Sequence, residues 1–462
     1  MNLTLADVER CLSGMSEEGH EKVTINSVQT DSRTVYEGDL FFCIDGANFD
    51  GHEFAHQAER QGAAAVVASR VVDVDVPVIM VRDTTEALGR IAACWRDMCG
   101  ARLVAVTGTA GKTTVKEMLF AVVSQKHTAA KNYRNFNNQI GLPMSMLKGT
   151  CNQDWWIMEL GISVRGDMEE LAPIASPDVA VITNIGHGHL EGLGDMAGVA
   201  QAKTALLRYV RQAGSAVVSM DYPMLWDAAR EINNAPVGFS TQNFEDADFA
   251  ASYLGAESEG WGRFRLKTPE GDSEMAAPFC GEHYAENLAC VAATAHQLGL
   301  SRDDVINGVQ AIEPDSQRFC CKSGGNFMVI DDTYNANPLS MERSIKAAAN
   351  MAGERPLVLV LGDMRELGEE AVEQHVKLGK LAAEIAPKAL FYKGDHLDDV
   401  AAGYGGVITE LKDTETFIKK WQALGLTGAV ALVKGSRSLS METYANLLSR
   451  ELGCKAGTEE KK

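Results

Sequence analysis

Short apolar runs of strand length recur along the chain, separated by stretches in which apolar residues return every three or four positions. In the first hundred residues "DLFFCI" (39–44), "AAAVVAS" (63–69) and "VPVIMV" (76–81) read as strands. Between and after them, "DGHEFAHQAERQG" (50–62) reads as a capped helix and "TTEALGRIAACWRDMCG" (84–100) as a second helix. That alternation predicts a small α/β unit. A new series opens with "RLVAVTG" (102–108), a buried-type strand, followed by a helix whose Val115, Met118, Leu119 and Val122 keep the i, i+3, i+4, i+7 spacing. "WWIMEL" (155–160) and "VAVITNI" (179–185) predict further buried parallel strands, while the Gly-punctuated "GWGRFRLKTPEGDSEMAAPF" (260–279) predicts antiparallel strands beside them.

A third series begins near residue 315, with "NFMVIDD", "PLVLVLGDM", "ALFYKG" and "AVALVKGS" as strands and segments such as "SMERSIKAAANM" as helices. The expected fold class is α/β in three domains: residues 1–100, 101–313 and 314–462, the last a Rossmann-like unit ending in a polar, frayed tail "GCKAGTEEKK". The middle domain is expected to be a P-loop-type parallel sheet with an antiparallel appendage.

Composition narrows the function classes. Hydrophobic residues at 45% and charged residues at 23% are ordinary globular values. No run is long and apolar enough to span a bilayer, and "MNLTLADVERC" lacks the basic start of a signal peptide, so a cytoplasmic protein without membrane insertion is expected. Ten scattered cysteines without a C-x-x-C pair predict reduced thiols rather than disulfides or zinc ligands. A formal charge of −20 speaks against a nucleic-acid partner, so any phosphorylated ligand must meet locally gathered cations.

The candidate chemistry starts at "VTGTAGKTTVKEML" (106–119), where Val106 stands in the place of the first glycine of a phosphate-binding loop. A strand ending at Val106, with Gly108 and Gly111 permitting tight turns, would still aim backbone N–H groups and a helix N-terminus at an anion. Lys112 would supply a mobile cation and the Thr113 hydroxyl a Mg²⁺ ligand. An ordinary glycine turn is the bland alternative, and Gly-Lys-Thr at the start of an amphipathic helix makes it the weaker one. Glu159 ends the next strand, and "TNIGHGHLEG" brings Asn184, His187, His189 and Glu191 to the end of another. In an open parallel sheet such ends converge. Mg²⁺ prefers oxygen, so an imidazole ligand would favour Mn²⁺ as a substitute. In "DMAGVAQAKTALLRYV", Asp195 is placed to cap a helix on which Val199, Lys203, Leu206, Leu207 and Val210 share a face. Lys203 is expected to snorkel outward; if desolvated instead, its neutral amine could add CO₂.

In this order, "TGTAGKTT", "YRNFNNQIGLP", "MELGIS", "TNIGHGHLEG", "GVAQAK", "GEHYAEN", "DDTYNANPLSM", "LGDMRELG" and "KGSRSLSME" make the chain resemble the Mur ligases, nearest the MurF type. "TDSR" and "GDLFFCIDGANFDGHEFAHQAERQGA" extend the likeness to the N-terminus. The resemblance implies an ATP-dependent ligase of peptidoglycan precursor synthesis, its partners being UDP-N-acetylmuramoyl-tripeptide and D-alanyl-D-alanine, with an acyl-phosphate intermediate and a monomeric state. It further implies that Gly108, Thr109, Ala110, Gly111, Lys112, Thr113 and Thr114 hold ATP phosphates, and that Thr113, Glu159, His189 and a carbamylated Lys203 serve Mg²⁺. Asn138 or Asn137 would lie near the γ-phosphate, His283 and Asn287 at adenine, and Arg318 and Asp332 at the phosphates and ribose. Ser32, Arg33, Asp50 and His52 would face the UDP-sugar, and Asn137, Tyr334 and Asn335 other parts of the substrates.

Two positions depart from the family pattern. Ala110 stands where many members carry Asn, a change that leaves the backbone N–H groups intact. Ala205 removes the carboxylate of a common Lys-x-Glu pattern after Lys203. The alternatives are a MurE-type ligase, against which "NANP" stands in place of "DNPR", a folate-polyglutamylating enzyme, and a non-catalytic binder of UDP-sugar or nucleotide.

Overall fold

The structure is a computed structural model and describes residues 3–13, 15–46, 48–133, 135–233, 235–258 and 260–456. Its first sheet joins Val28–Gln29, Leu40–Phe42, Ala65–Ala68 and Val78–Met80, all parallel. The helix expected over 50–62 starts as a 3₁₀ turn, Gly51–Phe54, capped by Asp50, and becomes α-helical only over Ala55–Arg60. Thr84–Cys99 is helical as its pattern predicts: Asp83 Oδ1 accepts from Thr85 N at 2.7 Å and Glu86 N at 3.0 Å, and Gly100 ends it at φ 65°.

The central sheet has nine strands. Across it lie Gly271–Ala277, Trp261–Thr268, Phe249–Ser258, Val237–Ser240, Ser215–Ser219, Val179–Ile182, Arg102–Thr107, Trp155–Glu159 and Ala129–Lys131. The strands over 260–279 pair antiparallel as their alternation predicts, while the core from Phe249 to Lys131 is parallel. Val115, Met118, Leu119 and Val122 of the helix Lys112–Val123 are buried against Val104, Val106, Ile157 and Val181.

The third sheet is parallel over Ile408–Glu410, Ala389–Lys393, Leu357–Gly362, Ala429–Lys434 and Phe327–Asp332, with Cys320–Gly324 antiparallel at its side. The tail departs from expectation: Lys455–Ala456 pairs with Cys320–Gly324, and the rest of it, residues 457–462, lies outside the described residues. The cysteines depart too. Cys99 and Cys151 form a disulfide across 52 positions, because the helix end at Cys99 packs on the turn before Trp155, where Trp95 Nε1 donates to Gly149 O at 2.9 Å. Local spacing carries no trace of that approach. Among the described residues no helix is long and apolar enough to cross a membrane.

Candidate active site

Strand order creates the cleft. Arg102–Thr107 lies between Trp155–Glu159 on one side and Val179–Ile182 on the other, and the chain runs outward in both directions from it, so their carboxyl ends form a topological switch point. Register aligns them: Val106 pairs with Glu159, and Thr107 with Ile182. Above these ends sits a cavity of about 410 Å³ whose opposite wall comes from the third sheet.

The loop after Thr107 is shaped by its neighbours. Gly108 has φ 154° and Gly111 φ 79°; a Cβ on the first would overlap Thr183 Oγ1, and on the second Asn287 Oδ1. Thr183 Oγ1 donates to Ala110 O at 2.8 Å, and Asn184 Oδ1 accepts from Ala110 N at 2.8 Å and Thr109 N at 3.2 Å. Thr109 and Ala110 thus line the cavity with their N–H groups already engaged. The groups left to meet an anion are those of Gly111 and of the first helical turn, Lys112 to Thr114, which have no carbonyl of their own helix to reach.

Charge is concentrated beside this turn. Glu159, 3% exposed, accepts from Thr113 Oγ1 at 2.6 Å and Asn137 Nδ2 at 2.8 Å. Burial pushes its carboxyl up, but Lys112, Lys116 and the Thr113 hydroxyl outweigh that and hold it below the usual carboxylate range. Lys112 Nζ donates to Gly108 O at 2.9 Å, and its ammonium is drawn down by burial despite Glu159. Lys203 corrects the snorkelling expectation: it is 2% exposed, behind the cavity wall, and its Nζ donates to the same Gly108 O at 3.1 Å. Burial, then the Lys112 charge, press its pKa well below the ordinary lysine value.

Asn138 lines the cavity and its Oδ1 caps the next helix by accepting from Gly141 N at 2.8 Å. His189 also lines it, with Nδ1 2.5 Å from Glu366 Oε2. His187 turns instead to Glu370 at 2.8 Å, and Glu191 points outward, so neither reaches the loop. Among the described residues no three His, Cys, Asp or Glu side chains are grouped to hold a metal by themselves. The Thr113 and Glu159 oxygens are the donor set suited to Mg²⁺.

On the cavity wall next to Gly111, His283 and Asn287 sit one helical turn apart, and His283 Nδ1 and Asn287 Oδ1 are buried without a partner. Burial takes the His283 pKa down to about 3, so the ring is neutral. Its ring centroid is 4.2 Å from that of Tyr284 and 5.0 Å from that of Phe319. Two orphaned polar atoms beside aromatic faces fit a heteroaromatic base that both donates and accepts. Arg318 lies 3.8 Å over the Tyr334 ring, and Asp332 Oδ2 accepts from Lys434 Nζ at 2.6 Å and Ser344 Oγ at 2.5 Å. Asn335 completes that wall, its carbonyl accepting from Lys434 Nζ at 3.0 Å.

A second cavity, of about 620 Å³, lies in the first sheet's unit. Ser32 and Arg33 line it, as does Ile140 from the central unit. Asp50 and His52, expected to face it, do not line it. Asp50 Oδ1 accepts from His52 Nδ1 at 2.7 Å, its other oxygen pairs with Arg70, and His52 Nε2 accepts from Ser69 N at 3.0 Å; the pair is spent on local structure. Several cleft residues escaped the sequence. Lys434 stands at a strand end inside "KGSRSLSME", and Ser340 is the third helical residue of the capping box that Asn337 opens, so both carry a local signal; Arg343 and Ser344 lie mid-helix, where nothing local marks them.

Comparison with known proteins matches three regions of the chain: the Mur ligase family catalytic domain over residues 24–96, the Mur ligase middle domain over 106–295, and the Mur ligase glutamate ligase domain over 317–437. The UDP-N-acetylmuramoyl-tripeptide–D-alanyl-D-alanine ligase of Escherichia coli K12 is 34% identical over 464 residues, covering 98% of this chain and 100% of that protein. The crystal structure of MurF from Acinetobacter baumannii superposes with TM-score 0.88 at 28% identity, covering 98% of this chain and 99% of that one. MurF ligase from Thermotoga maritima, in complex with ADP, gives 0.84 at 26% identity, covering 92% and 98%.

Proposed function

The chain belongs to the Mur ligase family, and on that premise we propose that it joins D-alanyl-D-alanine to UDP-N-acetylmuramoyl-tripeptide in an ATP-driven, amide-forming reaction. The observation that carries this reading is one cavity bounded by the phosphate loop, the Thr113–Glu159 oxygen pair and a third-sheet wall bearing Arg318 and Lys434. ATP use follows the family and the ADP complex of the Thermotoga maritima relative.

In the proposed reaction the terminal carboxylate of the peptide takes the γ-phosphoryl group and ADP leaves. The amine of the dipeptide then attacks the acyl carbon, a C–N bond forms, phosphate departs and the amine loses a proton. Both reactants of the first step are anions, so catalysis is mainly positioning and charge neutralisation. Lys112 and Arg318 supply fixed cations to the phosphates; the N–H groups of Lys112 to Thr114 cradle them. His283 and Asn287 meet the adenine edge, and Asp332 the ribose. Thr113 and Glu159, with His189 as a further ligand, would hold Mg²⁺, which would supply neutralising charge to the phosphate oxygens. Burial that presses the Lys203 pKa down favours its neutral amine, the form that adds CO₂ with release of a proton to solvent, and the resulting carbamate would bring a further anion to that ion. The Ser32–Arg33 cavity takes the UDP-sugar, and Asn137 and Asn138 the acceptor end near the γ-phosphate.

The test is phosphate release from ATP with UDP-N-acetylmuramoyl-tripeptide and varied amines. Release dependent on D-alanyl-D-alanine supports the reading. Preference for a single amino acid would move the chain to a different ligase type, and no release with any amine would make it a binder.

A further inference from the structure

Glu286 is a carboxylate that the chemistry above does not use. It is 3% exposed and lies one residue before Asn287 in the helix His283–Gln297. Its Oε2 accepts from Asn184 Nδ2 at 2.8 Å and Arg343 Nη1 at 2.7 Å, and its Oε1 from Tyr222 OH at 2.9 Å and Arg343 Nη2 at 3.1 Å. Arg343 Nη2 also donates to Tyr222 OH at 2.5 Å.

These partners come from two units. Glu286, Asn184 and Tyr222 belong to the central sheet's unit, whereas Arg343 is on the helix Pro338–Ala352, which packs on the third sheet. Other cross-unit contacts, such as His189 with Glu366 and Asn337 Nδ2 with Thr109 O at 3.4 Å, are longer, neutral or carried by an exposed side chain. The Arg343–Glu286 pair is two-pronged and buried on its acid side, the arrangement in which a charge-assisted bond is strongest and its loss is felt most. The acid continues inward: Asn184, while bound to Glu286, fixes Ala110 N at 2.8 Å and Ala110 O at 3.1 Å. An unbroken run of bonds therefore joins the third-sheet helix to the backbone of the phosphate loop.

We infer that Arg343 is a positioning residue: its ion pair with Glu286 holds the third sheet in its docked place and, through Asn184, ties that docking to the shape of the phosphate loop. By linkage, nucleotide that sets the loop favours docking, and docking raises nucleotide affinity by the same factor. The inference rests on the ligase reading for its kinetic part only.

The test uses the full chain. Arg343→Met removes the charge at similar length, Arg343→Lys keeps it without the fork, and Glu286→Gln removes the acid. Small-angle scattering with and without ADP reports docking without either peptide substrate, and steady-state kinetics report kcat and KM separately. Arg343→Met is expected to lower kcat about 30-fold or more, to leave KM for the UDP-tripeptide within about twofold, and to make the chain more extended in scattering than the unsubstituted chain, with partial recovery in Arg343→Lys. Combining Arg343→Met with Glu286→Gln should be no worse than the first alone. Wild-type kcat in Arg343→Met, additive losses in the double variant, or scattering identical to that of the unsubstituted chain would each overturn the inference. Should Arg343→Met fail to fold, Glu286→Gln and Arg343→Lys decide by the same readings. Absence of turnover in the unsubstituted chain would overturn the ligase reading instead, and the scattering comparison would still judge Arg343.

Discussion

Gly108→Ala isolates what the loop's shape contributes. An added methyl at φ 154° would overlap Thr183 Oγ1 and stand 3.2 Å from Thr183 Cβ and 3.3 Å from Asn184 N. The Thr183 hydroxyl can yield only by giving up its 2.8 Å bond to Ala110 O, a loss of about 1 kcal/mol, and the backbone conformation itself costs alanine about 1–3 kcal/mol. Free of ligand, the loop would relax away from this shape; binding a phosphate would force it back. The sum, about 2–4 kcal/mol, therefore falls on affinity as a ~30- to ~1000-fold rise in the ADP dissociation constant. Gly405→Ala is the control, because Gly405 has φ 67° with nothing within 4 Å of the added methyl. It carries the left-handed penalty, about 1–2 kcal/mol, far from the cleft, and should leave ADP binding unchanged. Titration calorimetry on both variants, with thermal melting to confirm folding, makes the comparison. If Gly108→Ala binds ADP within about threefold of the parent, the loop geometry is not what holds the nucleotide.

Lys112→Ala should keep the fold and lose turnover by about 10³-fold, read as phosphate release; full activity would remove the phosphate-loop assignment. Lys203→Ala should be inactive and partly restored by added short carboxylates, and a mass measurement finding only unmodified amine in active enzyme would count against the carbamate. His283, with its pKa pushed down to about 3, takes up no proton in the native state where an unfolded histidine, near 6.5, does. Stability therefore rises with pH across that window, by up to about 1.4 kcal/mol per pH unit. His283→Gln should flatten the melting temperature's pH dependence between those limits, and an unaltered slope would contradict the burial argument.

The sequence carried the parts of the cleft that repeat a local rule. The strand end at Glu159, the strand end one residue past the expected Val106, at Thr107, and the amphipathic helix from Lys112 are legible because apolar period and Gly-Lys-Thr placement act over a few residues. Lys203 departs from its expectation for a related reason: the α-helix capped by Asp195 ends at Thr204, Leu206 and Leu207 continue in a 3₁₀ segment with Val210 beyond it, and which neighbour covers the lysine is a tertiary fact. Asp50 and His52 were named by motif, yet Arg70 and Ser69 claim them from a different turn. Arg343 and Glu286 are 57 positions apart on helices of different units, and no periodicity couples such a pair.

The stretch from Asn137 to Ile140 touches both cavities: Asn137 and Asn138 line the cleft, while Ile140 lines the chamber beside Ser32 and Arg33. Three peptide links reach at most about 11 Å, so along this stretch the two chambers are separated by no more main chain than that. For a bound molecule that reaches from one chamber to the other past these residues, covalent bonds rather than any hinge cap the distance between them.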